Sequence, residues 1–287
     1  MMAKRAVVGH ECVACGTCAK ACPFSAISVP DGRFAVVDPD RCVGCGTCAK
    51  VCPAEVIAIE KTDEKRDPGK PRPKPVKRER KWYDHLYVIT PIYLTLGFFN
   101  ILFAWIGLLF FFLPLIFAAA GKGKLYCNRY CDRGQFLDLL GERFGISRRV
   151  ALPRWIRSKA FRYGFLTFFM VMFINMLAVT WLVLVGSQEL GTTVQLLWTF
   201  QLPWHWAYPV AVAPGVAQFA FGFYGVMLTS TVIGLFSMLL FRPRSWCVFC
   251  PMGTMTQLIS SARAKGSSCA GCSAGCGAGC EAGCGIE

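Results

Sequence analysis

Charged and apolar residues alternate in long blocks along this chain of 287 residues. No charged residue occurs from His85 to Gly121, and Glu189 is the only one between Tyr163 and Phe241. Both runs exceed the roughly 20 apolar residues that a membrane-spanning helix needs. Together with the 54% hydrophobic content, they predict that part of the chain is an integral membrane domain.

The first apolar run predicts two spans, because about 39 helical residues would measure nearly 60 Å against a hydrocarbon core of about 30 Å. The turn between them falls at 97–100 or, alternatively, at 105–107. The second run predicts two more spans on either side of a loop. We place the four spans at 82–99, 102–120, 161–186 and 216–241.

The basic residues predict how these spans are oriented. All 31 Lys and Arg fall within residues 4–162 or 242–265, so they flank the apolar runs as the positive-inside rule requires. We therefore expect a multi-pass protein of the cytoplasmic membrane with both termini in the cytoplasm and the loop 187–215 outside. The net charge of +14 then indicates anionic lipid as the partner rather than nucleic acid. The N-terminus has no apolar segment typical of a signal peptide, so export of this end is not expected.

The loop 187–215 is rich in aromatic residues and prolines. Its Trp198, Trp204, Trp206 and Tyr208 are residues that favour the membrane interface. We expect part of this loop to lie in the outer interface as a short helix.

The N-terminal segment contains two copies of one cysteine motif. Each copy reads C-x2-C-x2-C-x3-C-P, the first at Cys12, Cys15, Cys18 and Cys22, the second at Cys42, Cys45, Cys48 and Cys52. This run holds 4Fe-4S clusters, and in two-cluster ferredoxins its last cysteine binds the other cluster. We assign Cys12, Cys15, Cys18 and Cys52 to one cluster, and Cys42, Cys45, Cys48 and Cys22 to the other. Zinc is the alternative, but a zinc site has no use for this repeated spacing.

This segment resembles a bacterial-type two-cluster ferredoxin over residues 7–60. The resemblance implies an α+β ferredoxin-like domain at 1–60, and all eight ligands lie within it. Weak strands are expected at Ala6–Val8, Ala26–Val29, Phe34–Val37 and Val56–Glu60. The high number of cysteines in cluster-like spacing favours reduced thiols in the cytoplasm over disulfides.

A basic linker at 61–81 follows, with ten Lys or Arg and four prolines. Prolines favour an extended chain, and the charges favour lipid headgroups, so the linker would hold the ferredoxin near the membrane without fixing its orientation. The membrane domain then extends over 82–262, and a tail over 263–287.

Two further cysteine pairs follow the second and the fourth predicted spans. They are Cys127 with Cys131, and Cys247 with Cys250. Two spans plus one pair, repeated, predict two halves related by a pseudo-two-fold axis along the membrane normal. The four cysteines would then meet at the cytoplasmic surface as ligands of a third iron-sulfur cluster or metal, with Arg129, Arg133, Arg242 and Arg244 as nearby cations. The alternative is that these cysteines are packing residues.

The pattern of an aromatic residue, a cysteine pair and a glycine after these spans resembles the NapH/NosR/CcoG group of membrane-bound polyferredoxins. The resemblance covers residues 82–260. It implies coupling of quinol oxidation or other membrane redox steps to iron-sulfur domains. The fold class expected is thus a ferredoxin-like domain followed by an all-α bundle of four transmembrane helices.

The tail repeats cysteine at short intervals between glycines. Its cysteines are Cys269, Cys272, Cys276, Cys280 and Cys284. Either this segment folds around a metal, or it is a disordered low-complexity tail.

Other cofactors find little support. The three histidines are His10, His85 and His205, too few for two bis-histidine haems, so no haem is expected. His205 could bond a quinone carbonyl, although an interfacial anchor is the alternative. No dinucleotide or nucleotide fingerprint occurs, so flavin or NAD would belong to partner proteins.

These observations predict an electron-transfer subunit rather than a self-sufficient enzyme. It would pass electrons between a cytoplasmic redox partner, its clusters, and a membrane partner or quinone. The alternative is a metal-handling or cofactor-assembly reductase whose tail receives a metal, and deletion of the tail discriminates the two. A transporter is a third reading, but the spans contain almost no charge that would mark a substrate path.

Overall fold

A computed structural model of the protein describes residues 3–9, 11–30, 34–62, 75, 82–197, 199–208 and 212–270. Nearly all of the predicted linker therefore lies outside the described residues, as do His10 and Trp198. The same is true of the tail cysteines from Cys272 onward. What is described forms an N-terminal domain and a larger helical domain.

The N-terminal domain has two small antiparallel sheets and two short helices: β1 (Ala3–Val8), α1 (Thr17–Ala21), β2 (Ile27–Ser28), β3 (Val36–Val37), α2 (Thr47–Val51) and β4 (Ile57–Thr62). β1 pairs with β4 over its whole length, so the two ends of the domain meet, and β2 pairs with β3. The four predicted strands are present. Each helix follows a glycine in the left-handed region, Gly16 with φ 75° and Gly46 with φ 78°, where a side chain would be strained.

The second domain is mainly helical. Its helices are α3 (Ile89–Phe99), α4 (Gly107–Phe117), α5 (Asp132–Asp138), α6 (Arg154–Arg157), α7 (Lys159–Leu184), α8 (Pro214–Leu240), α9 (Trp246–Phe249) and α10 (Pro251–Ala270). Turns of 3-10 helix at Trp82–Val88 and Ile101–Ile106 lead into α3 and α4. A hairpin of β5 (Thr193–Leu196) and β6 (Phe200–Pro203) connects α7 to α8.

Three helical segments in the described part of the chain are long and apolar enough to cross a membrane. They are Ile101–Lys122, Lys159–Leu184 and Pro214–Leu240. Large apolar side chains such as Phe112, Ile174 and Trp181 are more than half exposed on these helices, as lipid contact would require. The protein is thus a membrane protein. The predicted span 82–99 is not among the three, because it is divided between a 3-10 turn and α3, whose 11 residues measure only about 16 Å.

Helix α8 forms the centre of the helical domain. Phe221, Phe223 and Tyr224 on α8 are at most 2% exposed. The Tyr224 hydroxyl donates to the Leu94 carbonyl at 2.8 Å, and a Cβ on Gly97 would stand 2.2 Å from the Tyr224 ring. Helix α3 therefore packs tightly against α8.

The hairpin corrects the prediction of an interfacial helix in the loop 187–215. Among its described residues, helix is limited to a 3-10 turn at His205–Ala207 and to the first two residues of α8, Pro214 and Gly215. The sequence pattern missed the hairpin because two four-residue strands carry too short an alternation to distinguish from a loop.

The hairpin folds back along α8. Val194 is fully buried, and the Gln195 carbonyl lies so close to Gly225 that a Cβ there would be 2.6 Å from it. The Leu197 N–H donates to the Thr229 hydroxyl at 3.2 Å. Thr229 is about 22 Å along α8 from the start of that helix, so the hairpin extends into the bundle.

Candidate iron-sulfur sites and the junction between the domains

Two cavities in the N-terminal domain are each lined by four cysteines. One is lined by Cys12, Cys15, Cys18 and Cys52, the other by Cys22, Cys42, Cys45 and Cys48. The structure thus brings together the two crossed sets that the motif spacing predicts. We refer to the first as the inner cavity and to the second as the outer cavity.

The backbone around each cavity offers hydrogen-bond donors to sulfur. The Ala14 N–H points to Cys12 Sγ at 3.4 Å, and the Ala26 N–H to Cys22 Sγ at 3.4 Å. The Thr47 hydroxyl lies 3.4 Å from Cys45 Sγ. Hydrogen bonds to sulfur stabilise thiolate ligands and help set the reduction potential of a bound cluster.

The pKa values of these thiols fit a site in which bound cations stabilise the thiolate form. Burial raises the pKa of Cys18, of Cys48 and of Cys52 above the ordinary value. The exposed Cys45 differs, because its hydrogen bond with Thr47 lowers its pKa. Buried thiolates therefore need positive charge beside them, and iron ions would supply it.

The cavities fit a cluster better than a single metal ion. Within the described residues, no three His, Cys, Asp or Glu side chains are grouped closely enough to hold one ion. In a 4Fe-4S cluster each thiolate binds a different iron, so the sulfurs surround a cube rather than a point. A zinc site, with four ligands on one ion, is the poorer match.

The two membrane-domain cysteine pairs also come together. Cys127 lies in a wide helical turn, Cys131 directly precedes α5, Cys247 is in α9 and Cys250 directly precedes α10. The thiol of Cys131 interacts electrostatically with those of Cys127 and Cys250, and Cys247 interacts with Cys131 and Cys250. We call these four residues the membrane cysteines.

The membrane cysteines are partly buried among groups that suit a bound metal centre. Burial raises the pKa of Cys127 and of Cys247, and it raises that of Cys131 to about 12. The Gly134 N–H, in the first turn of α5, points to Cys131 Sγ at 3.4 Å. Ser245, two residues before Cys247, has a buried hydroxyl without a hydrogen-bond partner. Four thiols and an N–H donor at one place fit a bound anionic cluster.

Basic side chains of the membrane domain bind the loops around the inner cavity. Lys124 Nζ donates to the Val13 carbonyl at 2.9 Å, and Arg244 Nη1 to the Cys15 carbonyl at 2.7 Å. The Arg242 guanidinium donates to the Cys52 carbonyl. The inner cavity therefore faces the membrane cysteines, and Arg244 lies between Cys15 and Cys247.

A second group of contacts fixes the far edge of this junction. Glu55 forms ion pairs with Arg157 at 2.8 Å and with Arg242 at 3.3 Å. Gly16 touches Asn128 so closely that a Cβ on Gly16 would stand 2.1 Å from Asn128 Oδ1. The linker composition predicted a ferredoxin domain without a fixed orientation. These long-range contacts, which composition cannot reveal, hold the domain in one orientation.

Two of the four predicted cations are placed differently from expectation. Arg133 extends into the bundle, where it donates to the Ser230 hydroxyl and to Met227 Sδ, both at 2.5 Å. Arg242 binds the ferredoxin loop. Arg244 lies among the membrane cysteines as predicted. It is joined there by Lys124, which the charge pattern had assigned to topology.

The charge state of these two cations follows from their surroundings. Burial alone would lower the pKa of Arg244, but the Asp138 carboxylate, and then the thiols of Cys247 and Cys15, raise it above its ordinary value. Burial lowers the pKa of Lys124, and the nearby thiol of Cys127 partly opposes this effect.

The two described histidines, His85 and His205, are not among the residues that line the two cysteine cavities. His205 stacks edgewise on Trp206, with ring centroids 5.4 Å apart, and His85 lines a groove at the domain junction with Asp138 and Glu142. Of the predicted tail, only 263–270 is described, and its backbone continues α10.

Family comparisons agree with both kinds of site. A model of the 4Fe-4S dicluster domain matches residues 11–72. A model of a 4Fe-4S binding domain matches twice, at 103–158 and at 224–267, and each match contains one pair of the membrane cysteines. No curated protein and no solved structure shows significant similarity to the chain.

These findings define an iron-sulfur protein with 4Fe-4S-binding domains and apolar helices suited to a membrane. Neither match reaches half of the chain. Membership of the NapH/NosR/CcoG group therefore stays a prediction, as does the role of each cysteine as a ligand.

Proposed function

We propose that the protein is a membrane-anchored electron-transfer protein that relays electrons between a cytoplasmic redox partner and a membrane partner or the quinone pool. One observation carries this proposal above all. The inner cavity is docked directly on the membrane cysteines through Lys124 and Arg244. An arrangement of this kind makes a continuous row of redox sites from the ferredoxin domain to the membrane.

The membrane cysteines supply the ligands of a third 4Fe-4S cluster in this proposal. Bound clusters would supply one-electron redox chemistry at each site. The chain's own part is to hold the thiolates, to place cations and N–H donors beside them, and to exclude water. The two matches of one 4Fe-4S binding family model, each with one cysteine pair, support this assignment.

The exposure of the cavities sets the order of the sites. Cys45 of the outer cavity is exposed, whereas Cys18 and Cys52 of the inner cavity are buried. A soluble partner therefore reaches the outer cluster first. Electrons then move through the inner cluster to the membrane cysteines, or along the same path in the reverse direction.

The segment 82–99 completes a four-helix arrangement in this proposal. Seven residues of 3-10 helix and eleven of α-helix add up to about 30 Å, the thickness of the hydrocarbon core. Thr90, midway along this segment, donates to Asp132, beside Cys131, at 2.7 Å. At its C-terminal end the Gly97 and Phe98 carbonyls accept from Trp204 and Trp206 of the loop between α7 and α8.

Iron and sulfide quantitation tests the proposal on protein purified anaerobically. We expect about twelve irons per chain, and about eight when the four membrane cysteines are replaced by serine. An EPR-monitored redox titration should show the signal of a third cluster. A quinol-oxidation assay should show whether electrons from quinol reach the clusters. Equal iron content and identical EPR spectra in the two proteins would show that the membrane cysteines are packing residues.

A further inference from the structure

Two cations are buried between the inner cavity and the membrane cysteines. Arg244 is 2% exposed and Lys124 is 3% exposed. Removing a charge from water costs several kcal/mol unless opposite charge and hydrogen bonds compensate it. The polar and charged groups around each cation therefore indicate whether further negative charge is expected beside it.

Among the described residues, no carboxylate lies within ion-pair distance of Lys124. Its ammonium donates to two neutral oxygens, the Val13 carbonyl and Gln257 Oε1 at 3.0 Å. The other groups with which it interacts electrostatically include the thiols of Cys127, Cys15 and Cys250. These thiols belong to both redox sites, so negative charge on their sulfurs would complete the environment of Lys124.

Arg244 contacts both sides of the junction in the same way. It forms an ion pair with Asp138, which leaves its Nη1 free to donate to the Cys15 carbonyl. It also interacts with the thiols of Cys247 and Cys131. One guanidinium thus bridges a ferredoxin loop and the membrane cysteines.

We propose that Lys124 and Arg244 form a cationic bridge that positions the inner cluster against the membrane cysteines and raises the reduction potentials of both centres. This inference rests on the proposed function. The net charge of a thiolate-ligated cluster becomes more negative on reduction, and two such clusters at close range repel each other. Buried cations between them stabilise the reduced forms, because little water is present to screen the interaction. In the transfer between the two centres, one is oxidised and the other is reduced by the same single electron. No covalent bond or proton needs to change.

Arg157 provides a matched control for docking without this electrostatic role. It binds the ferredoxin domain through the Ala54 carbonyl at 3.1 Å and through Glu55, and it contacts no cluster thiol. Arg157→Gln should therefore weaken docking in the way that Arg244→Gln does, but leave the potentials unchanged.

The test is an EPR-monitored redox titration of the full chain, purified anaerobically with its clusters. The variants are Arg244→Gln, Arg244→Lys, Lys124→Met and Arg157→Gln, and a Cys45→Ser variant identifies the signal of the outer cluster. We expect Arg244→Gln and Lys124→Met to shift the inner-cluster potential to more negative values and to leave the outer-cluster potential in place. Arg244→Lys should restore most of the wild-type value, because it keeps the charge.

Several outcomes would overturn the cationic bridge. They are unchanged inner-cluster potentials, an equal shift at both ferredoxin clusters, or an equal shift in Arg157→Gln. If Arg244→Gln does not fold, Lys124→Met and Arg244→Lys still decide the question. Failure of the third cluster would be seen separately, as about eight irons per chain, and the inner cluster would still report the effect of the two cations.

Discussion

A matched pair of glycines can test how the ferredoxin domain docks. Gly16 and Gly46 hold the same position in the two cysteine motifs and have nearly equal φ values of 75° and 78°. Alanine at either position costs about 1–2 kcal/mol of domain stability, because an L-residue is strained in the left-handed region. Backbone strain is therefore the same in Gly16→Ala and in Gly46→Ala.

Only one of the two substitutions should disturb the junction. A Cβ on Gly16 would stand 2.1 Å from Oδ1 of Asn128, a buried side chain, whereas a Cβ on Gly46 would meet only Ile59 Cγ1 at 3.9 Å. Overpacking of this kind typically costs about 1–3 kcal/mol. The ratio of docked to undocked ferredoxin should thus fall by about 5-fold to 150-fold in Gly16→Ala.

Amide hydrogen exchange on the full chain measures this ratio. Amides of the segment 124–128 and of α1 should lose protection in Gly16→Ala and keep it in Gly46→Ala. Replacing Asn128 by alanine in the Gly16→Ala background should restore protection, because it removes the atom that clashes. The docking geometry is refuted if both glycine variants exchange alike at the junction.

Two further predictions concern the membrane domain. Gly225→Ala places a Cβ 2.6 Å from the Gln195 carbonyl, so the hairpin must move away from α8. The midpoint of thermal unfolding in detergent should therefore fall by several degrees. Gly164→Ala, also within a helix but with open space around it, should not lower the midpoint, because alanine favours a helix over glycine. A single cysteine can be placed at Thr192 in a chain whose other cysteines are occupied by clusters or replaced. It should react with an impermeant reagent only from the outside, because the segments that flank the spans carry the basic residues. Labelling from the cytoplasmic side alone would contradict the four-span topology.

The sequence predicts best what is determined locally. The ferredoxin motif contains its own ligands, turns and strand positions within about fifty residues, and both cavities are lined by the predicted sets. The structure also brings Cys127 near Cys250, as the repeated unit of span and cysteine pair predicts. In the ferredoxin motif the pattern and the structure are linked by short chain segments.

Long-range contacts account for most of what the sequence did not predict. Lys124 and Arg133 belong to the same basic segment. Counting charges assigned Lys124 to membrane topology, whereas Arg133 was predicted to lie beside the membrane cysteines. In the structure one is buried against a ferredoxin loop and the other reaches into the bundle. Which basic residue faces lipid headgroups and which faces a cysteine depends on side-chain contacts between distant segments, and a local pattern does not contain this information.

The hairpin between α7 and α8 imposes an order on the maturation of the protein. A two-stranded hairpin is marginally stable by itself, and backbone groups within a bilayer need partners in the protein. Its partners here, Gly225 and Thr229, belong to α8, which the ribosome makes after the hairpin. The segment can therefore dock only after α8 has been made, so the bundle is completed late in synthesis.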